Sequence, residues 1–174
     1  MSHLFLIGFM GAGKSTVGRR VADALGMPFI DLDEQIERST GRSVADIFAA
    51  DGEQSFRAAE SAALASLEDV EPAVIACGGG VVEDDANRRV LKELGRVIHL
   101  RVEADEALAR IGDTSGRPLL AHGDAVAMAS TLLAARETLY RTAADAVVDT
   151  SGASASEVAE EVVAIARSFG EAGG

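Results

Sequence analysis

The residues with the clearest chemical meaning form one glycine-rich segment near the start of the chain. Gly8–Ser15, with the sequence GFMGAGKS, matches the pattern G-x-x-x-x-G-K-[ST] at every fixed position, and Thr16 follows it. Glycines let backbone N–H groups turn inward without Cβ clashes and form a cradle for phosphate at a helix N-terminus. In such a loop the lysine, here Lys14, reaches the β- and γ-phosphates, and the Ser15 hydroxyl ligates Mg²⁺. The segment predicts a nucleotide-binding P-loop.

A purely structural glycine turn is the weaker interpretation of this segment. The chain contains only two lysines, Lys14 and Lys92, so a chance match to the pattern is improbable. The flanks also agree with a P-loop, because an apolar run precedes the segment and an amphipathic helical pattern follows it.

Two carboxylates, Asp31 and Asp33, end the second apolar run of the chain. Residues two apart on an extended chain point the same way, and ligands of open α/β sheets bind at the carboxyl ends of the strands. One carboxylate could serve the metal ion and the other the hydroxyl groups of a substrate. For Asp33 alone, the alternative is an N-cap of the helix that follows.

Three consecutive glycines, Gly78–Gly80, follow the third apolar run and expose backbone amides where a flat ligand could lie close. A simple turn is the alternative for these glycines. Arg117 lies in a later loop that is rich in glycine, where closure could bring its guanidinium group onto a transferring phosphate.

Two further arginines lie on predicted helices. Arg57 has Glu60 three residues later, so an ordinary surface ion pair is its alternative role. Arg136 falls on an apolar stripe, where a cation is costly unless it meets an anion. That stripe consists of Val126, Ala129, Leu133 and Tyr140. Together the arginines suggest an acidic substrate.

Short apolar runs alternate along the chain with helical patterns, which favours an α/β fold with helices on both faces of a parallel sheet. The predicted strands are Leu4–Ile7, Pro28–Leu32, Ala73–Cys77, Arg96–Leu100 and Ala146–Val148. The predicted helices are Lys14–Leu25, Glu53–Leu67, Asp85–Glu93, Asp105–Arg110, Ala125–Ala143 and Ser154–Ser168.

Two segments interrupt this alternation. Asp33–Asp51 has mixed polarity and is left without a predicted element. Gly112–Gly123 has the length and the glycines of a mobile active-site lid, although a plain surface connection has the same composition.

Composition narrows the class of protein. The chain has 174 residues that are 48% hydrophobic, which is enough for one compact domain. Its net charge of −12 argues against nucleic acid or an anionic membrane as the partner. With no run long enough for a signal sequence or a membrane span, we expect a soluble, cytoplasmic monomer that binds a small molecule. A lone cysteine, Cys77, fits a reducing compartment, and no metal-ligand spacing is found for His3, His99 and His122.

In this order along the chain, the motifs resemble those of the shikimate kinase family. The similar stretches are Gly8–Thr16, Phe29–Glu37, Asp51–Glu60, Ile75–Gly80, Gly116–Leu120 and Arg136–Tyr140. The P-loop alone is shared with a very large number of enzymes, whereas this ordered set is far more specific.

The resemblance implies a three-layer α/β/α fold with a five-stranded parallel sheet, comprising one P-loop kinase domain over residues 1–174. A substrate-binding segment would cover about 33–61 and a lid about 112–124. The implied activity is transfer of the γ-phosphoryl group of ATP to the 3-hydroxyl of shikimate, with Mg²⁺, within aromatic amino acid biosynthesis.

The resemblance also implies roles for individual residues. Shikimate would be bound by Asp33, Arg57, Gly79, Gly80 and Arg136, the two arginines holding its carboxylate and Asp33 its hydroxyl groups. The catalytic residues would be Asp33, Lys14 and Arg117, and the Mg²⁺ shell would include Ser15 and Asp31. ATP would be bound by Gly11, Ala12, Gly13, Lys14, Ser15, Thr16, Arg117 and Arg110, the last stacking on adenine. The segment Thr150–Ser154 lacks the basic residue that some relatives carry there.

Three other functions are possible for a chain with a P-loop. Another small-metabolite kinase on the same scaffold, acting on gluconate or a nucleoside monophosphate, is the nearest alternative. A GTP-binding switch is excluded, because the chain's only asparagine, Asn87, precedes Arg88 and cannot form the guanine-binding motif. A P-loop ATPase of the motor or assembly class usually needs a strand-terminal Asp after the third strand, and three glycines stand there instead.

Overall fold

A five-stranded sheet in the order β2-β3-β1-β4-β5, with every neighbouring pair parallel, lies at the centre of the chain. The computed structural model describes residues 2–113, 116–120 and 123–171. The strands are β1 (His3–Ile7), β2 (Phe29–Asp31), β3 (Val74–Ala76), β4 (Gly95–Arg101) and β5 (Ala146–Asp149). The five predicted strands and their parallel arrangement are confirmed, with boundaries that shift by at most one residue.

The central strand explains why the sheet needs helices on both faces. Every residue of β1 is buried, and it pairs with β3 on one side and β4 on the other. A strand that is apolar on both faces is stable only when both faces are covered. Helices α1 (Lys14–Leu25) and α7 (Ala155–Glu171) pack on each other, and α4 (Asp85–Leu94) and α6 (Ala125–Ala143) pack on each other and on β4. The remaining helices are α2 (Leu32–Thr40), α3 (Val44–Ala65) and α5 (Ala104–Ile111).

The segment 33–51, left without an element in the sequence analysis, contains α2 and the first part of α3. Asp31 caps α2 and Ser43 caps α3 through their side-chain oxygens, and Gly41 ends α2 with φ 67°. Helix α3 begins nine residues before the predicted start at Glu53, and Gly52 kinks it at φ 82°. The mixed polarity of this region hid both helices, because each buries only a narrow apolar face.

Three short 3₁₀ turns complete the described part, at Ser66–Asp69, Val81–Glu83 and Pro118–Leu120. The last belongs to the predicted lid segment, and Leu120 anchors it in the core with 1% exposure. Thr114, Ser115, Ala121 and His122 of that segment lie outside the described residues. Among the helices of the described residues, none has both the length and the apolar composition that a membrane span requires.

Candidate active site

The loop between β1 and α1 has a backbone that only glycine can adopt. Gly8, Gly11 and Gly13 have φ values of 148°, 80° and 90°. A Cβ at Gly11 would also collide with the carbonyl oxygen of Ala107. Helix α1 begins at Lys14 without a side-chain cap, so its first N–H groups face the loop and can bind an anion.

Lys14 is held inside this loop. Its Nζ donates to the carbonyl oxygens of Gly8 at 2.8 Å and Phe9 at 3.0 Å. Burial lowers the pKa of Lys14 to about 8, against the opposing effect of the Asp33 carboxylate. The ammonium group is therefore in place where the phosphates of a nucleotide would lie.

Ser15 and Asp31 form an oxygen pair next to the loop. The Ser15 hydroxyl donates to Asp31 Oδ2 at 2.5 Å, while Asp31 Oδ1 accepts from the backbone N–H groups of Asp33 at 3.1 Å and Glu34 at 3.3 Å. A hydroxyl and a carboxylate beside a phosphate cradle suit Mg²⁺, which prefers oxygen ligands together with substrate phosphates. The residues predicted for the metal thus lie together and fit that ion.

Asp33 is not the N-cap of α2, because Asp31 takes that role. The chain also turns into the helix at Leu32, so the two carboxylates do not share one extended strand. Both nevertheless line one cavity, because the first helical turn brings Asp33 back over the P-loop. Burial raises the pKa of Asp33, as does the nearby Asp31, while Lys14 opposes them.

The two substrate-side arginines come from different helices and meet at one pocket. Arg136 is 1% exposed, and its Nε donates to Glu83 Oε1 at 2.8 Å. Arg57 donates from Nη1 to Glu60 at 2.9 Å and from Nη2 to Glu53 at 3.3 Å. The Arg57–Glu60 pair, for which a surface contact was the alternative interpretation, is largely buried, since the Glu60 side chain is 0% exposed.

Glu60 is a site residue that the sequence analysis treated only as a partner of Arg57. Burial raises the pKa of Glu60, although the charge of Arg57 opposes the shift. Its pairing partner could be found from the i, i+3 spacing, but its burial depends on α3 packing beneath the glycine turn.

Close contacts explain two of the three glycines after β3, and none of the three has a positive φ. A Cβ at Gly78 would collide with Glu60, and one at Gly80 would collide with the guanidinium group of Arg57. A Cβ at Gly79 would lie 3.4 Å from Nη1 of Arg136. Gly78 and Gly80 thus leave room for charged side chains, so this turn does more than reverse the chain.

A cavity of about 460 Å³ lies between these elements. Among the described residues, five buried side-chain polar atoms lack a hydrogen-bond partner, and four of them belong to residues that line this cavity. The four are Asp33 Oδ1, Arg57 Nε, Glu60 Oε2 and Arg136 Nη2. Buried polar atoms in a folded protein normally have partners, so this group indicates a polar ligand.

Two further cavities continue from the first. One of about 220 Å³ contains the catalytic candidates and is lined by Lys14, Ser15, Asp31, Asp33, Gly79 and Arg117, among others. The other, of about 460 Å³, has walls that include Gly11, Ala12, Gly13, Thr16, Arg110, Arg117 and Thr150. Arg117 lines all three cavities, and the predicted site residues are all brought to this one edge of the sheet.

Arg110 connects the last of these cavities to the segment after β5. Its Nη2 donates to the carbonyl oxygen of Thr150 at 2.6 Å and its Nη1 to the Thr150 hydroxyl at 3.0 Å. The segment after β5, which carries no basic residue of its own, is therefore held by Arg110 of α5.

Comparison with known proteins agrees with this geometry. The family model described as shikimate kinase matches residues 10–167. The chain belongs to the shikimate kinase family. As a family member, it is an ATP-dependent small-molecule kinase.

Individual members of the shikimate kinase family cover nearly the whole chain. The shikimate kinase of Halorhodospira halophila is 46% identical over 162 residues, which is 93% of this chain and 92% of that relative. The structure of shikimate kinase from Acinetobacter baumannii, solved in complex with shikimate, superposes with a TM-score of 0.93 at 36% identity, covering 97% of this chain and 94% of that one. A gluconokinase from Sinorhizobium meliloti, at 19% identity and a TM-score of 0.57 with 94% of this chain and 90% of that one covered, shares the fold alone.

Two residues at the site had no assigned role in the sequence analysis. Glu83 follows the glycine turn and contacts both arginines. Tyr140 donates its hydroxyl to the carbonyl oxygen of Gly79 at 2.5 Å, and its ring stacks on His99 with centroids 4.8 Å apart. Tyr140 was identified only as part of an apolar stripe, and no sequence signal marks Glu83.

Proposed function

We propose that the chain transfers the γ-phosphoryl group of ATP to the 3-hydroxyl of shikimate, giving shikimate 3-phosphate and ADP. The observation that carries this assignment is a group of four residues lining one cavity, two arginines and two carboxylates, each with a buried polar atom that has no hydrogen-bond partner. For Arg57 that atom, Nε, has only the ion pair with Glu83 at 3.6 Å. Shikimate offers the complementary set, a carboxylate and three hydroxyl groups. A relative solved with shikimate has the same fold over 97% of this chain.

In this proposal the substrate carboxylate binds Arg136 through its unpaired Nη2 and also meets Arg57. The hydroxyl groups face Asp33, and the ring lies against Gly79 and Gly80, where no side chain intervenes. A forked guanidinium contact fixes the direction of a carboxylate as well as its charge. The ring alcohol is therefore oriented from both ends.

In the same proposal the nucleotide occupies the other two cavities, which the P-loop residues line. Its phosphates bind the backbone of Gly11–Thr16 and the ammonium group of Lys14, and its base lies near Arg110. Ser15 and Asp31 would hold Mg²⁺, which supplies neutralisation of phosphate charge when bound. Arg117 lines all three of the cavities described above and would contact the transferring phosphoryl group.

The reaction needs little covalent chemistry from the protein. The oxygen of the 3-hydroxyl group attacks the γ-phosphorus, the bond to the ADP oxygen breaks, and the hydroxyl proton passes to Asp33. Because burial raises the pKa of Asp33, it is a stronger base than an exposed aspartate. Positioning and neutralisation by Lys14 and Arg117 supply most of the remaining rate enhancement.

Two structural expectations belong to the same proposal. The segment of about 112–124 acts as a lid that brings Arg117 onto the phosphates, and the chain works as a single-domain monomer. Light scattering checks the oligomeric state, and protection of this segment from proteolysis by both substrates together checks the lid.

A coupled assay of ADP release tests the reaction. We expect turnover with ATP and shikimate that requires Mg²⁺, and background release with gluconate or a nucleoside monophosphate. Turnover with either of those acceptors and none with shikimate would replace the proposal with another small-metabolite kinase. ATP hydrolysis that is independent of every small acid would indicate an ATPase.

A further inference from the structure

Glu83 lies behind the two arginines that face the substrate cavity. Its Oε1 accepts from Nε of Arg136 at 2.8 Å, and its Oε2 lies 3.6 Å from Nε of Arg57. Glu83 itself does not line the cavity. The Glu83 carboxylate therefore lies outside the substrate pocket and contacts the Nε atom of each of the two arginines.

The backbone that carries Glu83 is fixed on several sides. The N–H group of Glu83 donates to the carbonyl oxygen of Gly80 at 3.0 Å, which joins it to the glycine turn. Asn87 donates to the carbonyl oxygen of Val81 at 3.2 Å, and Arg88 donates to that of Glu83, also at 3.2 Å. Helix α4 thus clamps the turn, so the Glu83 side chain starts from a defined position.

A guanidinium group is planar, so a carboxylate on Nε restricts the direction in which its two Nη groups point. For Arg136 the result is visible, because Nη2 is buried and has no hydrogen-bond partner beside the cavity. The Glu83 side chain is 37% exposed, so water could solvate it without this contact. The contact between Glu83 and Nε of Arg136 is therefore better explained by the orientation it gives the guanidinium group than by a need of Glu83 for a partner.

We propose that Glu83 is a positioning residue that aims the guanidinium groups of Arg136 and Arg57 at the carboxylate of the substrate. This inference rests on the proposed function, in which those two arginines bind that carboxylate. Glu83 acts through them and touches neither substrate, so its effect falls on the binding of the acid rather than on phosphoryl transfer.

Steady-state kinetics of three variants test this proposal. Glu83→Ala should raise KM for shikimate about tenfold, the loss expected for one charge-assisted hydrogen bond. Its kcat and its KM for ATP should stay within about twofold of the unchanged protein. Glu83→Gln keeps an oxygen acceptor for Nε of Arg136 and should restore most of the affinity. Glu93→Ala, which removes an exposed carboxylate near the end of α4 and outside the site, is the matched control.

A second measurement separates positioning from a general structural role. Calorimetric titration with shikimate and with its methyl ester compares a charged and an uncharged head group. Glu83→Ala should weaken binding of the acid about tenfold and leave that of the ester unchanged. Equal weakening of both ligands, a rise in KM for ATP, or a Glu83→Gln variant as weak as Glu83→Ala would overturn the proposal.

The activity of the unchanged protein distinguishes a failure of the role of Glu83 from a failure of the proposed function. Activity with shikimate in that protein, combined with an unaltered KM in Glu83→Ala, rejects the role of Glu83 alone. Absence of shikimate phosphorylation in the unchanged protein rejects the proposed function, and the role of Glu83 with it.

Discussion

The two halves of the site are built in different ways. The phosphate-binding part of the nucleotide half comes from one contiguous segment, Gly8–Thr16, and uses mainly backbone N–H groups, while Arg110, Arg117 and Thr150 add to the wall of its cavity. The substrate half is assembled from side chains on α2, α3, α6 and the turn after β3, which are up to a hundred residues apart. One half is determined locally, whereas the other exists only when the whole sheet and its helices have packed.

The halves also differ in how far they are satisfied without ligand. Lys14 donates to two carbonyl oxygens of its own loop. Within the described residues, the substrate half holds four of the five buried polar atoms that lack a partner. A preformed backbone cradle keeps its shape alone, but unpaired buried side chains need the ligand to recover their hydrogen bonds. Substitutions in the nucleotide half should therefore alter KM for ATP, and substitutions in the substrate half should alter KM for shikimate.

The largest effect is expected at the boundary between the halves, where Asp33 stands. Asp33→Asn keeps the size of the side chain but removes the base, so kcat should fall by roughly 10²–10⁴-fold. The thermal unfolding midpoint should not fall, because the buried charge of Asp33 has no hydrogen-bonded partner at Oδ1. Asp105→Asn, an exposed aspartate on α5, is the control. Near-normal turnover of Asp33→Asn would remove the role of this residue as base and orienting group.

The next largest effect is expected in the substrate half, on KM for shikimate. Arg136→Lys keeps the charge but loses the planar fork, so KM for shikimate should rise by roughly 10- to 100-fold. KM for ATP should stay unchanged, because Arg136 does not line the nucleotide cavity. Initial-rate measurements with each substrate varied in turn give both constants. An unchanged KM for shikimate would mean that Arg136 does not hold the carboxylate.

The pH dependence addresses the nucleotide half. Because burial lowers the pKa of Lys14 to about 8, the free enzyme loses this positive charge as pH rises above that value. We expect kcat/KM for ATP to fall there, by up to about tenfold per pH unit. The profile for shikimate at saturating ATP should lack this fall, since bound phosphates keep Lys14 protonated. The same fall in both profiles would assign it to another group.

The contribution of Lys14 to the free energy of unfolding should rise over the pH range in which kcat/KM for ATP falls. The pKa of Lys14 is lower in the folded state than the ordinary value of 10.5, so folding favours its neutral form. The contribution of this group to the free energy of unfolding is therefore smallest below pH 8 and rises between about 8 and 10.5. Urea unfolding of the ligand-free protein across this range measures that contribution.

The nucleotide half could be predicted from residues alone because its signal is contiguous. The spacing of Gly8, Gly13, Lys14 and Ser15, with an apolar run before it, indicates both the loop and its ligand. The strands were found for the same reason, since a strand buried on both faces is a short unbroken apolar run. Arg136, placed from the sequence on the apolar stripe of α6, is buried, whereas Val126 of the same stripe is 57% exposed.

The residues alone indicated the substrate half only in outline, as carboxylates and arginines that suggested an acidic substrate. The identity of that substrate came from the resemblance to a family. Nothing local in the sequence shows that Asp33 turns into a helix after Asp31, and the two acids were wrongly placed on one extended strand. The anion that meets Arg136 proved to be Glu83, 53 residues away in sequence. Contacts of this kind depend on how α4 and α6 pack, and no periodicity in a single sequence encodes them.

The smallest effect is expected at Tyr140, which supports the substrate half from below. Tyr140→Phe removes the hydroxyl that donates to the carbonyl oxygen of Gly79 at 2.5 Å and leaves that oxygen without this donor. Burial raises the pKa of Tyr140, so the hydroxyl keeps its proton at every assay pH and the contact is constant in the unchanged protein. The loss of one such bond costs about 1 kcal/mol. KM for shikimate should therefore rise only about threefold to fivefold.

Because the ring of Tyr140 stacks on His99, Phe preserves the packing and isolates the hydroxyl. KM for ATP should not change, since the P-loop backbone is held by its own glycines and by Lys14. An equal rise in both constants would show that the glycine turn and the P-loop move together. The two halves would then be one mechanical unit, and the separation inferred from their construction would be wrong.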